Sequence, residues 1–230
     1  MKNFIIGIVC FLTAHTINAQ VINDESYLDE SFYKFKIKLE NAVLNRDREA
    51  LSSMLADSIN ESANGCGYKC PKKEFLDFLF PNKESNEWTS LLNHIRFGFK
   101  KKSTADNALD AVTDTPYYFY APSFNDEINL ETQLIILGEN VNIREDAGTD
   151  KKVVAQLSYE IVRCNCSITN ITDDTYKYAD GIDWIQVTLK NGVKGYVAAN
   201  LTSQNISRDL VIINTATGWK ITSYFMSPGC

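Results

Sequence analysis

The spacing of apolar positions changes twice along the chain, and each change marks a different kind of structure. Phe32, Phe35, Leu39, Ala42 and Val43 recur every three or four residues, laying one apolar stripe along a helix of about four turns. Asp47 can start a second helix, with Leu51, Met54 and Leu55 repeating the stripe behind it. Pro71 suits a first helical turn, where its missing N–H would be unpaired anyway, and Phe75, Leu76, Phe78 and Leu79 predict a short helix that Pro81 ends. Trp88, Leu91, Leu92, Ile95 and Phe99 predict a fourth, closed by Lys100-Lys101-Lys102, since cations favour a helix C-terminus. Tyr117-Tyr118-Phe119-Tyr120 then predicts a strand.

Beyond it the period drops to two. Ile185, Val187 and Leu189 alternate with Gln186, Thr188 and Lys190, as in a strand with one buried face. Asn191-Gly192 tolerates the positive φ angles of a tight hairpin, and Gly195 marks a bulge or a close backbone approach. At the end of the chain Leu210 to Ile213 and Trp219 to Phe225 flank a turn, forming a hairpin too apolar to stand alone.

The middle stretch carries a motif set. Val141-Asn142-Ile143-Arg144, Val153-Val154-Ala155-Gln156-Leu157, Trp184-Ile185-Gln186-Val187 and Gly192-Val193-Lys194-Gly195-Tyr196-Val197 together resemble the bacterial SH3-like (Src-homology-3) domain, a small β-barrel. The resemblance covers roughly a third of the chain and implies binding, not chemistry. With a barrel complete by about Leu201, the tail hairpin needs another layer to cover it. The expected fold class is therefore α+β: residues 24–130 and 204–230 form one discontinuous domain, and residues 131–203 form an inserted SH3-like barrel. Leading helices with a terminal Gly-Trp-Lys-Ile-Thr-Ser-Tyr-Phe strand look like exported bacterial proteins carrying such an insert.

Export is also suggested by the N-terminus. Lys2, the apolar run Phe4 to Leu12 and the small Ala19 predict a signal peptide over residues 1–19, too short an apolar run to span a bilayer. Its removal takes the formal charge from −6 to −7. So acidic a chain lacks the basic surface that nucleic acid or an anionic membrane demands, and neither partner is expected. The expected location is periplasmic or secreted, where disulfides form.

Cys66 and Cys70, separated by Gly67-Tyr68-Lys69, are expected to bridge locally. Cys164 and Cys166 would share one strand face, where pairing is strained, and are taken as small buried apolar residues. Cys230 is free or bridges another cysteine. A metal site on Cys66, Cys70, Cys164 and Cys166 is not expected, because Cys-x-Cys is not zinc-site spacing.

Catalytic chemistry finds little material. His94 has no nucleophile motif beside it and is assigned to a polar helix face; Asp173-Asp174 and Asp24-Glu25 are assigned to solvated surface. The chain is expected to be no enzyme and to need no cofactor. The resemblance implies instead a peptide-binding face between a loop at Arg144–Lys152 and a polar loop at Ser167–Asp183. Tyr176, Tyr178, Trp184 and Tyr196, with Glu145, Asp146 and Asp183, are its candidate contacts, and a cell-wall peptide or an envelope protein is the expected partner. The alternatives are a structural or assembly protein of the envelope, or a hydrolase accessory domain.

Overall fold

A computed structural model describes residues 24–61, 66–105, 114–122, 128–129, 131–166, 175–205 and 208–226. The signal-peptide expectation, Cys230 and Asp173-Asp174 lie outside these residues. Among the described residues are four α-helices and two sheets, a mixed α+β architecture.

The first α-helix among the described residues is α1 (Glu30–Leu44), whose N-terminus is capped by Asp29 accepting from the Phe32 amide at 2.9 Å. Asp47 caps α2 (Arg48–Met54) in the same way, accepting from Ala50. Two short strands, β1 (Leu55–Asn60) and β2 (Cys70–Pro71), precede α3 (Lys72–Leu79) and α4 (Glu87–Phe97). The lysine run departs from expectation. Gly98, at φ 97°, ends α4 as only a residue without Cβ does easily, and Lys100–Ser103 becomes β3, paired with β4 (Tyr117–Ala121). Lysines suit that place, since β3 is an edge strand and charge there discourages further pairing.

The tail hairpin, β12 (Arg208–Thr215) and β13 (Gly218–Met226), enters the same sheet: β12 lies beside β4, and β13 runs parallel to β1. The six-stranded order is β2-β1-β13-β12-β4-β3. Helices cover one face, and Phe32, Phe119, Leu210, Ile212 and Ile221 meet in its core. Phe32 and Phe119 stack with centroids 3.6 Å apart.

Between β4 and β12 the chain builds a second sheet. It contains β5 (Gln133–Ile135), β6 (Val141–Arg144), β7 (Val153–Leu157), β8 (Ile161–Cys164), β9 (Tyr176–Ala179), β10 (Ile182–Thr188) and β11 (Lys194–Ala198), curled as a half-barrel around Leu134, Ile143, Ile185, Val187 and Val197. Gly195 sits where β11 crosses β6: a Cβ there would stand 2.6 Å from Ile143 Cγ2 and 2.8 Å from the Arg144 carbonyl, so glycine is required by close approach.

The half-barrel is tied to α4 at several points. The Asn93 side-chain amide donates to the Asn200 carbonyl at 2.8 Å, and Phe97 packs with Ile135 and Leu137. These ties fix the cleft described next.

Both cysteine pairs, Cys66–Cys70 and Cys164–Cys166, stand at disulfide-bonding distance, compatible with an oxidising, exported setting. The second pair corrects the expectation of two unbonded apolar fillers. Its Cα atoms are 5.3 Å apart, closer than two strand residues of extended chain would set them, because β8 ends at Cys164 and the backbone bends. No described helix is long and apolar enough to cross a membrane.

Candidate ligand cleft

Apart from Glu145, the residues expected to form one binding face fall into two groups, with Trp184, Tyr196 and Asp146 gathered about Lys177 and with Tyr176, Tyr178 and Asp183 on the other face of the β9–β10 hairpin. Trp184 and Tyr196 lie on the outer face of the half-barrel, both nearly buried, packed with Ala147 and Ala198. Tyr176 is on strand β9, not in a loop, and its ring packs against the half-barrel core; alternation along β10 places its partner Ile185 on that inner face. Burial raises its phenol pKa. Tyr178 is 75% exposed near the β9–β10 turn, opposite Asp183, which is exposed as well. Glu145 is exposed on the β6–β7 loop.

Residues 167–174 of the second expected loop lie outside the described residues, and its described part, from 175 on, is joined to the first loop. Lys177 Nζ donates to Asp146 at 2.6 Å and lies 4.6 Å from the Tyr196 ring centroid, while Asp180 accepts from the amide and hydroxyl of Thr149 at 2.7 and 2.9 Å. The Lys177 bond holds the Asp146 carboxyl below its ordinary range. The β6–β7 loop is thus latched onto the β9–β10 hairpin, across the face where an open groove was expected.

Trp184 stands in the wall of a different cleft. Its indole N–H donates to the Ala179 carbonyl at 3.2 Å, and the ring lines a cleft of about 660 Å³ between the half-barrel and the helices. On the barrel side are Ile182, Trp184, Ala198 and Leu201; on the helix side are Glu40 of α1 and Arg96 of α4, joined by an ion pair at 3.1 Å. The turn Gly138 to Asn142 and Tyr159 form one end. Burial pushes the Tyr159 phenol up, against the pull of the Arg96 charge and with Glu40 and Glu139 adding to it. Asn140 and Tyr159 both hold φ at 51°, so this end is built from backbone that side chains rarely adopt.

A second charged group is buried deeper, and none of its members was among the candidates. Arg208, at the start of β12, donates from Nη1 to Glu61 at 2.7 Å, and its Nε lies 3.6 Å from Glu87. The Tyr224 hydroxyl is 3.3 Å from both Glu87 and Ser90, and burial raises the Glu87 carboxyl. His94 is here too, and this corrects its assignment to a polar helix face: it is fully buried, with Nδ1 2.8 Å from the Ser90 carbonyl and Nε2 accepting from the Arg208 amide at 3.1 Å. Desolvation lowers its pKa, so the ring is held neutral. Asp24 and Glu25 likewise are no solvated pair, since Asp24 holds Lys36, Ser26 and the Phe99 amide and Glu25 accepts from the Lys101 backbone amide. One signal could have found Arg208: a cation opening a strand apolar on both faces needs an acid beside it.

Among the described residues, no three His, Cys, Asp or Glu side chains converge as a metal-binding group. Comparison with protein-family models, curated proteins and solved structures found no match.

Proposed function

We propose that the protein is an exported, non-catalytic binding protein that holds a short peptide, from the cell wall or an envelope partner, in the cleft between α1, α4 and the half-barrel. The second sheet is the SH3-like insert of a discontinuous α+β body. The observation that carries this reading is the cleft of about 660 Å³ itself, with the edge of the nearly buried Trp184 in one wall and the Glu40–Arg96 pair in the other. An aromatic wall facing a few placed charges is the usual composition of a peptide or small-ligand site. His94, neutral, fully buried and bonded to backbone at both ring nitrogens, has no opening to substrate, which favours binding over hydrolysis.

A structural role in the envelope is the second reading, and it draws on the exposed stripe Tyr33, Ile37 and Leu44 along α1. Co-sedimentation with insoluble peptidoglycan separates the two. Binding in the cleft predicts that the wild type sediments, that Asn200→Trp, which fills the cleft from an exposed position, stays in solution, and that Tyr178→Ala behaves as wild type. Equal sedimentation of Asn200→Trp and wild type, or none of the wild type, would count against it.

A further inference from the structure

The charges of the cleft are balanced and adjacent. Its lining has two carboxylates, Glu40 and Glu139, and two guanidinium groups, Arg96 and Arg144, with no other ionic side chain. Glu40 and Arg96 come from different helices and are 30% and 22% exposed, so they meet the cleft partly desolvated. Arg96 uses Nε for Glu40, and its Nη1 lies 4.0 Å from where a Cβ on Gly138 would stand, beside the glycine of the cleft's end turn.

Such a wall discriminates by charge pattern. An anion approaching Arg96 meets Glu40, and a cation approaching Glu40 meets Arg96, so a ligand of one sign leaves a partly buried charge of the protein uncompensated. A ligand with both charges on neighbouring atoms exchanges one ion pair for two charge-assisted pairs. Because Glu40 and Arg96 touch, at 3.1 Å, a ligand that meets both must carry its ammonium and carboxylate close together, as on one α-carbon, and not at the two ends of a longer peptide.

We infer that the cleft reads a free amino-acid headgroup, with its carboxylate on Arg96, its ammonium on Glu40 and its side arm along the partly exposed Ile182 and Leu201 of the barrel-side wall. The inference rests on the cleft being the ligand seat and names the ligand class: a zwitterionic α-amino acid end carried on an apolar or amide-linked arm. Glu40 and Arg96 are then specificity-determining residues, more than a staple between α1 and α4.

Calorimetric titration of the protein tests this with three probes: Nε-acetyl-lysine, with a free headgroup; its α-amide, with the ammonium alone; and Nα,Nε-diacetyl-lysine, with the carboxylate alone. The free headgroup is expected to bind at least about tenfold more tightly than either blocked form, one ion pair's worth of discrimination. Arg96→Gln should erase the preference over the amide, and Glu40→Gln the preference over the diacetyl form, with both variants melting near the wild-type temperature. Equal binding of all three probes, or preferences untouched by the two variants, overturns the headgroup inference. If no probe binds while peptidoglycan still sediments the wild type and not Asn200→Trp, the inference fails and the cleft stands; if that sedimentation difference is absent too, both fail.

Discussion

The Trp219 indole of the last strand meets the Phe32 ring of the first helix edge-on, with centroids 5.0 Å apart, and its N–H donates to Ser31 at 2.8 Å. The two ends of the described chain therefore share one aromatic core, with the half-barrel sequence running between them. Trp219→Ala should cost about 3–5 kcal/mol, the usual loss for a buried large aromatic. Denaturant unfolding followed by circular dichroism checks this, and a loss below about 1 kcal/mol would place Trp219 outside the core.

Arg208 neutralises Glu61 in a site where both side chains are nearly inaccessible to water. Arg208→Met leaves that carboxylate buried without its cation, and a loss of about 3–5 kcal/mol is expected at neutral pH. Adding Glu61→Gln to the same chain should recover part of it. Urea melts of the single and double variants give the comparison, and a double variant no more stable than the single would contradict it.

Asp29 sets an acid-side dependence. Burial would raise its carboxyl, but the bonds from Ser31, Tyr117 and the Phe32 amide outweigh burial and hold it down at about 2. With the folded value below the unfolded 3.8, its stabilisation is whole above about pH 4 and is lost as pH falls through about 2. Asp29→Asn keeps an oxygen at the cap and removes the titration, so its melting temperature should fall less than the wild type's between pH 5 and pH 2, a range set by that linkage. Parallel slopes for the two proteins would contradict the assignment.

Gly195 has no room for a methyl group between Ile143 and the Arg144 carbonyl. Gly195→Ala should destabilise the half-barrel by about 1–3 kcal/mol, the range for overpacking a filled site. Exchange of the β6 and β11 amides, measured by hydrogen–deuterium exchange, is expected to accelerate while the six-stranded sheet stays protected. Unchanged protection in β6 and β11 would contradict the close approach.

Periodicity made the four helices legible, since their stripes needed covering and the rest of their surfaces did not. It failed where side chains and backbone disagree. Leu55 to Asn60 has no apolar alternation, yet it is a strand because β13 and β2 lie on either side of it. Lys100–Lys102 fits a helix end by charge, but Gly98 had already ended α4, and the only use left for the run was an edge strand. The polar stretch before Asp183 hid β9, whose Tyr176 and Tyr178 share one face, the first packed on the core and the second beyond its rim and exposed. Trp184 was legible as a candidate, but its partners across the cleft, Glu40 and Arg96, are more than 85 residues away in sequence and show no local pattern. Charged residues brought together only by packing leave no periodic signature.

The most direct test of the account is amide and indole chemical-shift mapping of the protein titrated with soluble cell-wall peptide. Binding in the cleft predicts saturable shifts at the Trp184 indole N–H, Arg96, Asn140 and Asn200, with Trp219 and Tyr178 unmoved. Shifts confined to the β9–β10 turn around Tyr178, or no shifts at a peptide concentration that saturates sedimentation, would contradict it.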